Sequence, residues 1–346
     1  MPDWGIYRGE GGPHDHVDDR LPDPPSWRVF DHTAEPVGEP APESDRDARR
    51  AATYRPDPET VELVNAALFL RRPALVTGPP GCGKSTLAYA VAHELTLGKV
   101  LHWPITSRVM LRDGLYQYDP LGRLYSVSSG STSAGRHSRS GDAPPAGDGG
   151  EDIGQHIRLG PLGTALLPWK RPRVLLIDEI DKSDLDLPND LLTIFEEGEY
   201  VINELVRQAD PEQPVRVLTA DGGEPVPIHR GLVRCRAFPF VVMTSNLERD
   251  FPPAFLRRCI QIQIDRPDKE KLRSIVAAHL DDLAGSSEEL IQAFIEKRHV
   301  DELATDQLLN AIYLANASAH LRSEDRVDLA KKVLSPISTR IESDEY

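Results

Sequence analysis

The densest group of residues able to do chemistry is Gly78-Pro79-Pro80-Gly81-Cys82-Gly83-Lys84-Ser85-Thr86, which fits the spacing GxxxxGK followed by Ser or Thr. Glycines at this spacing let the main chain turn so that successive N–H groups converge on one point, a nest for an anion. A helix opening here adds its positive end. Lys84 supplies a point charge beside the β- and γ-phosphates of a nucleoside triphosphate, and the Ser85 hydroxyl suits Mg²⁺. Cys82 lies inside the nest, where the helix start and Lys84 favour its thiolate. Alkylation of Cys82 is therefore expected to block nucleotide binding; the competing reading is a small residue tolerated at a variable position.

A second group ends the apolar run Val174-Leu175-Leu176-Ile177 with Asp178 and Glu179, and Asp181 follows. A buried strand closing on two carboxylates delivers them to the carboxyl edge of a sheet, where ligands bind in open α/β folds. Asp178 suits Mg²⁺, and Glu179 suits polarising the water that attacks a γ-phosphate. Taken alone, such a run is better explained as a solvated strand end; the phosphate nest upstream decides for chemistry. The run Phe240–Ser245 ends on Asn246, which can orient an attacking water if its strand neighbours that of Asp178. Arg257 and Arg258 stand just before the apolar stretch opening at Cys259.

These groups need a scaffold. Short strands are expected at 73–77, 100–103, 174–177, 240–244 and 260–264. Helical stripes are expected over 59–70 and 85–95. Strands alternating with helices indicate an α/β fold with a parallel sheet sandwiched by helices. Beyond Asp265 the strands stop. Apolar spacing predicts helices over 268–283, from a Ser286/Glu289 capping box onward, and over 305–317 and 325–334, together a small all-α lid. Residues 1–50 hold 12 Asp+Glu against 6 Lys+Arg, are rich in Pro, and read as a disordered acidic tail in which Trp27–Phe30 is a docking patch at most. The stretch Ser126–Gly150 has 7 Ser and 6 Gly in 25 residues, so 126–152 is expected to be a flexible insertion within one domain. The expected organisation is thus a tail (1–50), a nucleotide-binding domain (51–265) and a helical lid (266–346).

Composition excludes several classes. The 346 residues carry 55 Asp+Glu and 40 Lys+Arg, a net charge of −15, which disfavours general binding to nucleic acid or anionic membranes. No apolar run reaches the length of a membrane helix, and the N-terminal residues lack a basic-then-apolar export pattern. The three cysteines form no CxxC, so a zinc ribbon or disulfide scaffold is not expected and a cytoplasmic setting is.

The order of phosphate nest, Asp-Glu strand, Asn strand, Arg pair and helical lid resembles the AAA+ ATPases, and over residues 55–265 it resembles their MoxR-like family. The further likeness lies in Thr106–Tyr116, Gly160-Pro161-Leu162-Gly163-Thr164-Ala165, and Leu191–Tyr200 with the hairpin-like stretch to Pro239. The resemblance implies a P-loop NTPase fold and ATP with Mg²⁺ as cofactors. It also implies a ring, usually hexameric, with ATP held between protomers. Arg258 becomes the preferred finger reaching a neighbour's γ-phosphate, with Arg257 the runner-up. A chaperone-like action on a protein partner is implied, as is a von Willebrand factor A domain protein as that partner. One departure stands out: the lid helix opens Leu303-Ala304-Thr305-Asp306-Gln307 without the arginine the family places there, and only Arg322, Arg326 and Arg340 remain to replace it. A nucleotide-gated scaffold with little turnover and a restriction-type nucleic-acid translocase are the competing readings. The acidic balance weighs against the second. A kinase or GTPase fits less well, since no guanine-reading NKxD follows Asn246.

Overall fold

The computed structural model describes residues 4–31, 33–133, 153–207, 213–280, 288–297, 303–317, 329–330 and 332–334. Five parallel strands form the central sheet: β1 (Ala74–Thr77), β2 (Leu101–Pro104), β3 (Val174–Asp178), β4 (Phe240–Ser245) and β5 (Ile260–Gln263), in the order β5-β1-β4-β3-β2. All five expected strands are present, shifted by a residue or two at their ends. Alternate side chains enter two apolar layers. Leu75, Ile177, Val241 and Met243 join one, and Ala74, Val76, Leu176 and Val242 the other. Burial on both faces is why these strands read as continuous apolar runs.

Three helices frame the sheet's nucleotide side: α1 (Asp45–Ala52), α2 (Pro58–Leu70) and α3 (Lys84–Glu94). Ser44 caps α1 by accepting the Asp47 N–H, Pro58 opens α2, and α2 ends on Arg71 in the left-handed region at φ 52°. On the far side of the sheet runs α4 (Asp186–Glu197), closed by Gly198 at φ 66°. The lid comprises α5 (Lys269–Leu280), α6 (Glu288–Lys297) and α7 (Thr305–Ala317), around a separate core with Leu272, Val276, Phe294, Leu308 and Ile312. Ser286 of the expected capping box, and most of 325–334, lie outside the described residues.

Residues 4–52 are not the disordered tail that their composition suggests. Ile6 and Tyr7 are each 1% exposed, within the apolar layer against α2. The buried Asn65 amide accepts the N–H groups of Ile6 and Tyr7 and donates back to the Tyr7 carbonyl. The Glu94 carboxylate, also buried, accepts N–H groups from Arg8, Gly9, Glu10 and Gly11. Further on, buried Arg28 stacks on Phe30 and Phe238, donates to the Arg71 carbonyl at 2.7 Å and pairs with Glu196. The segment is thus fastened by polar groups reaching out from the domain. Apolar content does not measure anchors of that kind. It is called the strap below.

Antiparallel pairing joins Tyr116–Tyr118 to Ile157–Leu159 at the base of the Ser/Gly-rich stretch, and Glu199–Val201 to Leu232–Arg234 in the hairpin-like region. The backbone is helical from Pro120 to Ser133, further into the Ser/Gly-rich stretch than its composition indicates. Ser126 there bonds back to the carbonyls of Gly122 and Arg123. Residues 134–152 lie outside the described residues.

Candidate functional site

The register of the sheet brings the candidate residues together. Thr77 stands opposite Ser245 and Met243 opposite Ile177, so the ends of β1, β4 and β3 lie side by side at one edge. The loop leaving β1 turns through Gly78 (φ 153°), Gly81 (φ 72°) and Gly83 (φ 94°) before α3 starts at Lys84. A Cβ at Gly78 would strike the Ile264 carbonyl, and one at Gly81 would strike Ala304, so both positions demand glycine for space as well as for dihedral.

Lys84 is 8% exposed, and its Nζ donates to the carbonyls of Gly78 and Pro79 and to Asn246 Oδ1 at 2.7 Å. Ser85 Oγ donates to Asp178 Oδ1 at 2.7 Å. Thr244 Oγ1 donates to the same Asp178 oxygen at 2.6 Å and accepts the Glu179 N–H at 2.8 Å. Burial pushes the Asp178 carboxyl up, but hydrogen bonds from His102, Thr244 and Ser85 outweigh it and hold the group at about 2. A hydroxyl and an ionised carboxylate in contact, beside an anion nest, form the oxygen donor set that Mg²⁺ prefers, so the residues present fit the metal and the triphosphate.

Glu179 lies in the left-handed region at φ 61°, uncommon for a residue with a Cβ, and its carboxylate accepts from Lys182 Nζ at 2.8 Å. Behind it, Asp181 is 3% exposed and accepts the N–H groups of Asn246 and Glu248, which fixes the turn that aims Asn246. Thr86, in the first turn of α3, accepts from Arg50 Nε of the strap at 3.3 Å. A cavity of about 260 Å³ opens beside Gly81, Cys82 and Gly83. Arg50 and Tyr54 wall it on one side, Lys271 and Thr305 of the lid on the other. Pro79 and Pro80 face the lid, near Pro267 and Leu303.

Arg257 and Arg258 are not part of this cluster. Ile260 pairs with Ala74, at the opposite end of β1 from the nest, about 13 Å away at the rise of a strand. Arg258 Nε donates to Glu196 Oε1 at 3.2 Å, and the Arg257 carbonyl accepts from Arg72. Cys82 differs from the sequence expectation: burial pushes its thiol up, and Lys84 with the local backbone N–H groups only partly counters this, so the thiolate is not favoured. The opening of α7 packs Ala304 on Gly81, and the three replacement arginines lie outside the described residues. Sequence reasoning missed His102, Asp181, Lys182, Thr244 and Arg50 as contributors. Asp181 and Thr244 stood within runs already singled out, and their burial is what distinguishes them.

A parallel sheet in this order, with a phosphate loop after β1, paired acids ending β3 on the other side of β4 and a helical region behind, is the AAA+ form of the P-loop NTPase fold. The chain belongs to the AAA domain family, dynein-related subfamily, whose model matches residues 73–259. AAA domains are in general nucleotide-hydrolysing ATPases that bind ATP and Mg²⁺. No curated protein matches the chain. Among solved structures, that of C. elegans PCH-2 is similar at 14% identity, covering 85% of this chain and 69% of that chain, with a TM-score of 0.40. Among the described residues no helix is long and apolar enough to cross a membrane.

Proposed function

We propose that this chain is a MoxR-like AAA+ ATPase that hydrolyses Mg²⁺-ATP between protomers of a ring and uses the cycle to remodel or assemble a partner protein. The observation that carries the reading is the wiring of Lys84 to Asn246 and of Ser85 and Thr244 to Asp178. It joins five polar groups from three distant stretches of the chain at one sheet edge beside an N–H nest. In this reading Ser85 and Asp178 would hold Mg²⁺, which would supply charge neutralisation to the phosphates. Lys84 and the N–H groups of residues 81–86 bind the phosphates. Glu179 accepts the proton of the attacking water, and Asn246 orients that water. Arg258, exposed at the far edge of the sheet, serves the site of a neighbouring protomer, with Arg257 the alternative.

Two features support the MoxR-like assignment over AAA+ in general. The antiparallel pair at 116–118 and 157–159 closes off an insertion before β3, and the pairs at 199–201 with 232–234 and 215–217 with 226–228 build a second one before β4. A von Willebrand factor A domain protein is the partner that this assignment favours. The test is ATPase rate against protein concentration for wild type and Arg258→Ala. A steep concentration dependence that the variant loses supports catalysis across protomers, and a rate per chain that is flat and unaffected by the variant rejects it. A scaffold that scarcely turns ATP over would instead make Glu179→Gln indistinguishable from wild type.

A further inference from the structure

Arg50 has no role in the scheme above, yet it stands at the mouth of the same cavity. Its guanidinium carbon lies 4.3 Å from the centroid of the Tyr89 ring, and its Nε donates to Thr86 Oγ1. Arg28, Arg171, Arg173, Arg234, Arg258 and Arg273 each pair with a carboxylate, whereas Arg50 forms no ion pair among the described residues. The Tyr89 ring and the Thr86 hydroxyl hold the guanidinium at the wall of the cavity that Arg50 lines with Gly81 and Gly83, and Nη1 and Nη2 make no hydrogen bond among the described residues. A planar fork held in this way suits two oxygens of one phosphate.

Position selects which phosphate. Lys84 and Ser85 face Asn246 and Asp178 on one flank of the α3 start, the flank assigned to the β- and γ-phosphates. The cavity that Arg50 lines runs from Gly81, Gly83 and Thr86 to Tyr54, Ile275 and Leu309, and neither Lys84 nor Ser85 lines it. A group between an apolar recess and the phosphate nest meets the phosphate nearest the nucleoside. We infer that Arg50, delivered by the strap, is a nucleotide-binding residue that contacts the α-phosphate of ATP and ADP. The inference rests on the nucleotide-binding reading of the nest.

The experiment is calorimetric titration of ATP and ADP into the full chain, wild type, Arg50→Lys, Arg50→Met and Lys84→Ala, with melting temperatures taken without nucleotide. Arg50→Met is expected to weaken ATP and ADP alike, by about tenfold, the scale of a lost charge-assisted hydrogen bond. Arg50→Lys should fall between, and the nucleotide-free melting temperatures should agree. Equal affinities for Arg50→Met and wild type overturn the inference, as do equal losses in the Lys and Met variants, which would mean packing alone. A loss confined to ATP also overturns it, because the contact would then lie at the γ-phosphate. Should Arg50→Met melt lower than wild type, Arg50→Gln takes its place under the same criteria. Lys84→Ala separates the two levels: if it binds as wild type does, the nest reading fails, and if it weakens while Arg50→Met does not, Arg50 alone is removed.

Discussion

The two edges of the central sheet treat their charged groups in opposite ways. At the carboxyl edge the polar side chains are tied to one another: Lys84 to Asn246, Ser85 and Thr244 to Asp178, and the Asn246 turn to Asp181. At the amino edge Arg258 touches none of them. It is 40% exposed and leans on Glu196, a carboxylate that also holds Arg28 of the strap. A group that acts within its own chain gains from being locked in place before substrate arrives, since fixed dipoles need not reorganise. A group that acts on another chain must stay accessible, and an exposed ion pair of small net worth suffices to park it.

The contrast can be broken at either edge. Arg258→Ala is expected to lower turnover about 1,000-fold, within the range for a lost arginine finger, while leaving nucleotide affinity unchanged. Mixing it with Lys84→Ala should recover activity, because each variant supplies the edge that the other lacks; no recovery in the mixture argues that both edges serve one chain. Next in size, Glu179→Gln should lower turnover roughly 100-fold with ATP still bound, as read by single-turnover hydrolysis beside nucleotide titration. Lys84→Ala should weaken ATP roughly 30-fold, for one buried charge-assisted contact and the Asn246 position it holds.

A smaller effect concerns stability. The Asp178 carboxyl titrates at about 2 in the folded chain, below the roughly 3.9 of an unfolded Asp. Its contribution is therefore complete above pH 4 and is lost as pH falls from about 4 to about 2. Denaturant melts should show Asp178→Asn less stable by about 2 kcal/mol at pH 7, with the gap narrowing through that window. Smallest of all, Cys82 should alkylate more slowly at pH 7 than a free thiol, which timed iodoacetamide labelling and mass spectrometry would show; rapid labelling would mean that the nest, and not burial, governs the thiol.

Much of this was legible in the sequence because apolar strands leave a strong trace. Runs such as Val174–Ile177 and Phe240–Thr244 gave the sheet, and the residues ending them gave Asp178, Glu179 and Asn246. What stayed hidden was held by hydrogen bonds between distant partners. Asn65 gathers Ile6 and Tyr7 from 59 and 58 residues away, and Glu94 gathers Arg8 to Gly11 from more than 80. A lone Asn or Glu in a helix looks the same in sequence whether it faces water or grips a strap. Asp181 was visible beside Glu179 but indistinguishable from a solvated acid until its burial was known. Cys82 failed for the same reason in reverse, since neighbouring charges can be read from sequence and desolvation cannot.

The strap's route also bears on where the functional unit of this chain begins. The family match starts at residue 73, which invites cutting a minimal domain there. Such a fragment would keep the whole phosphate loop and still lose Arg50, Thr53 and Tyr54, one wall of the cavity beside it. It would also leave Glu94 with four N–H donors removed from a buried carboxylate. Its inactivity would then say nothing against the phosphate loop, and a comparison of related chains made over the matched region alone would leave out residues that shape the pocket.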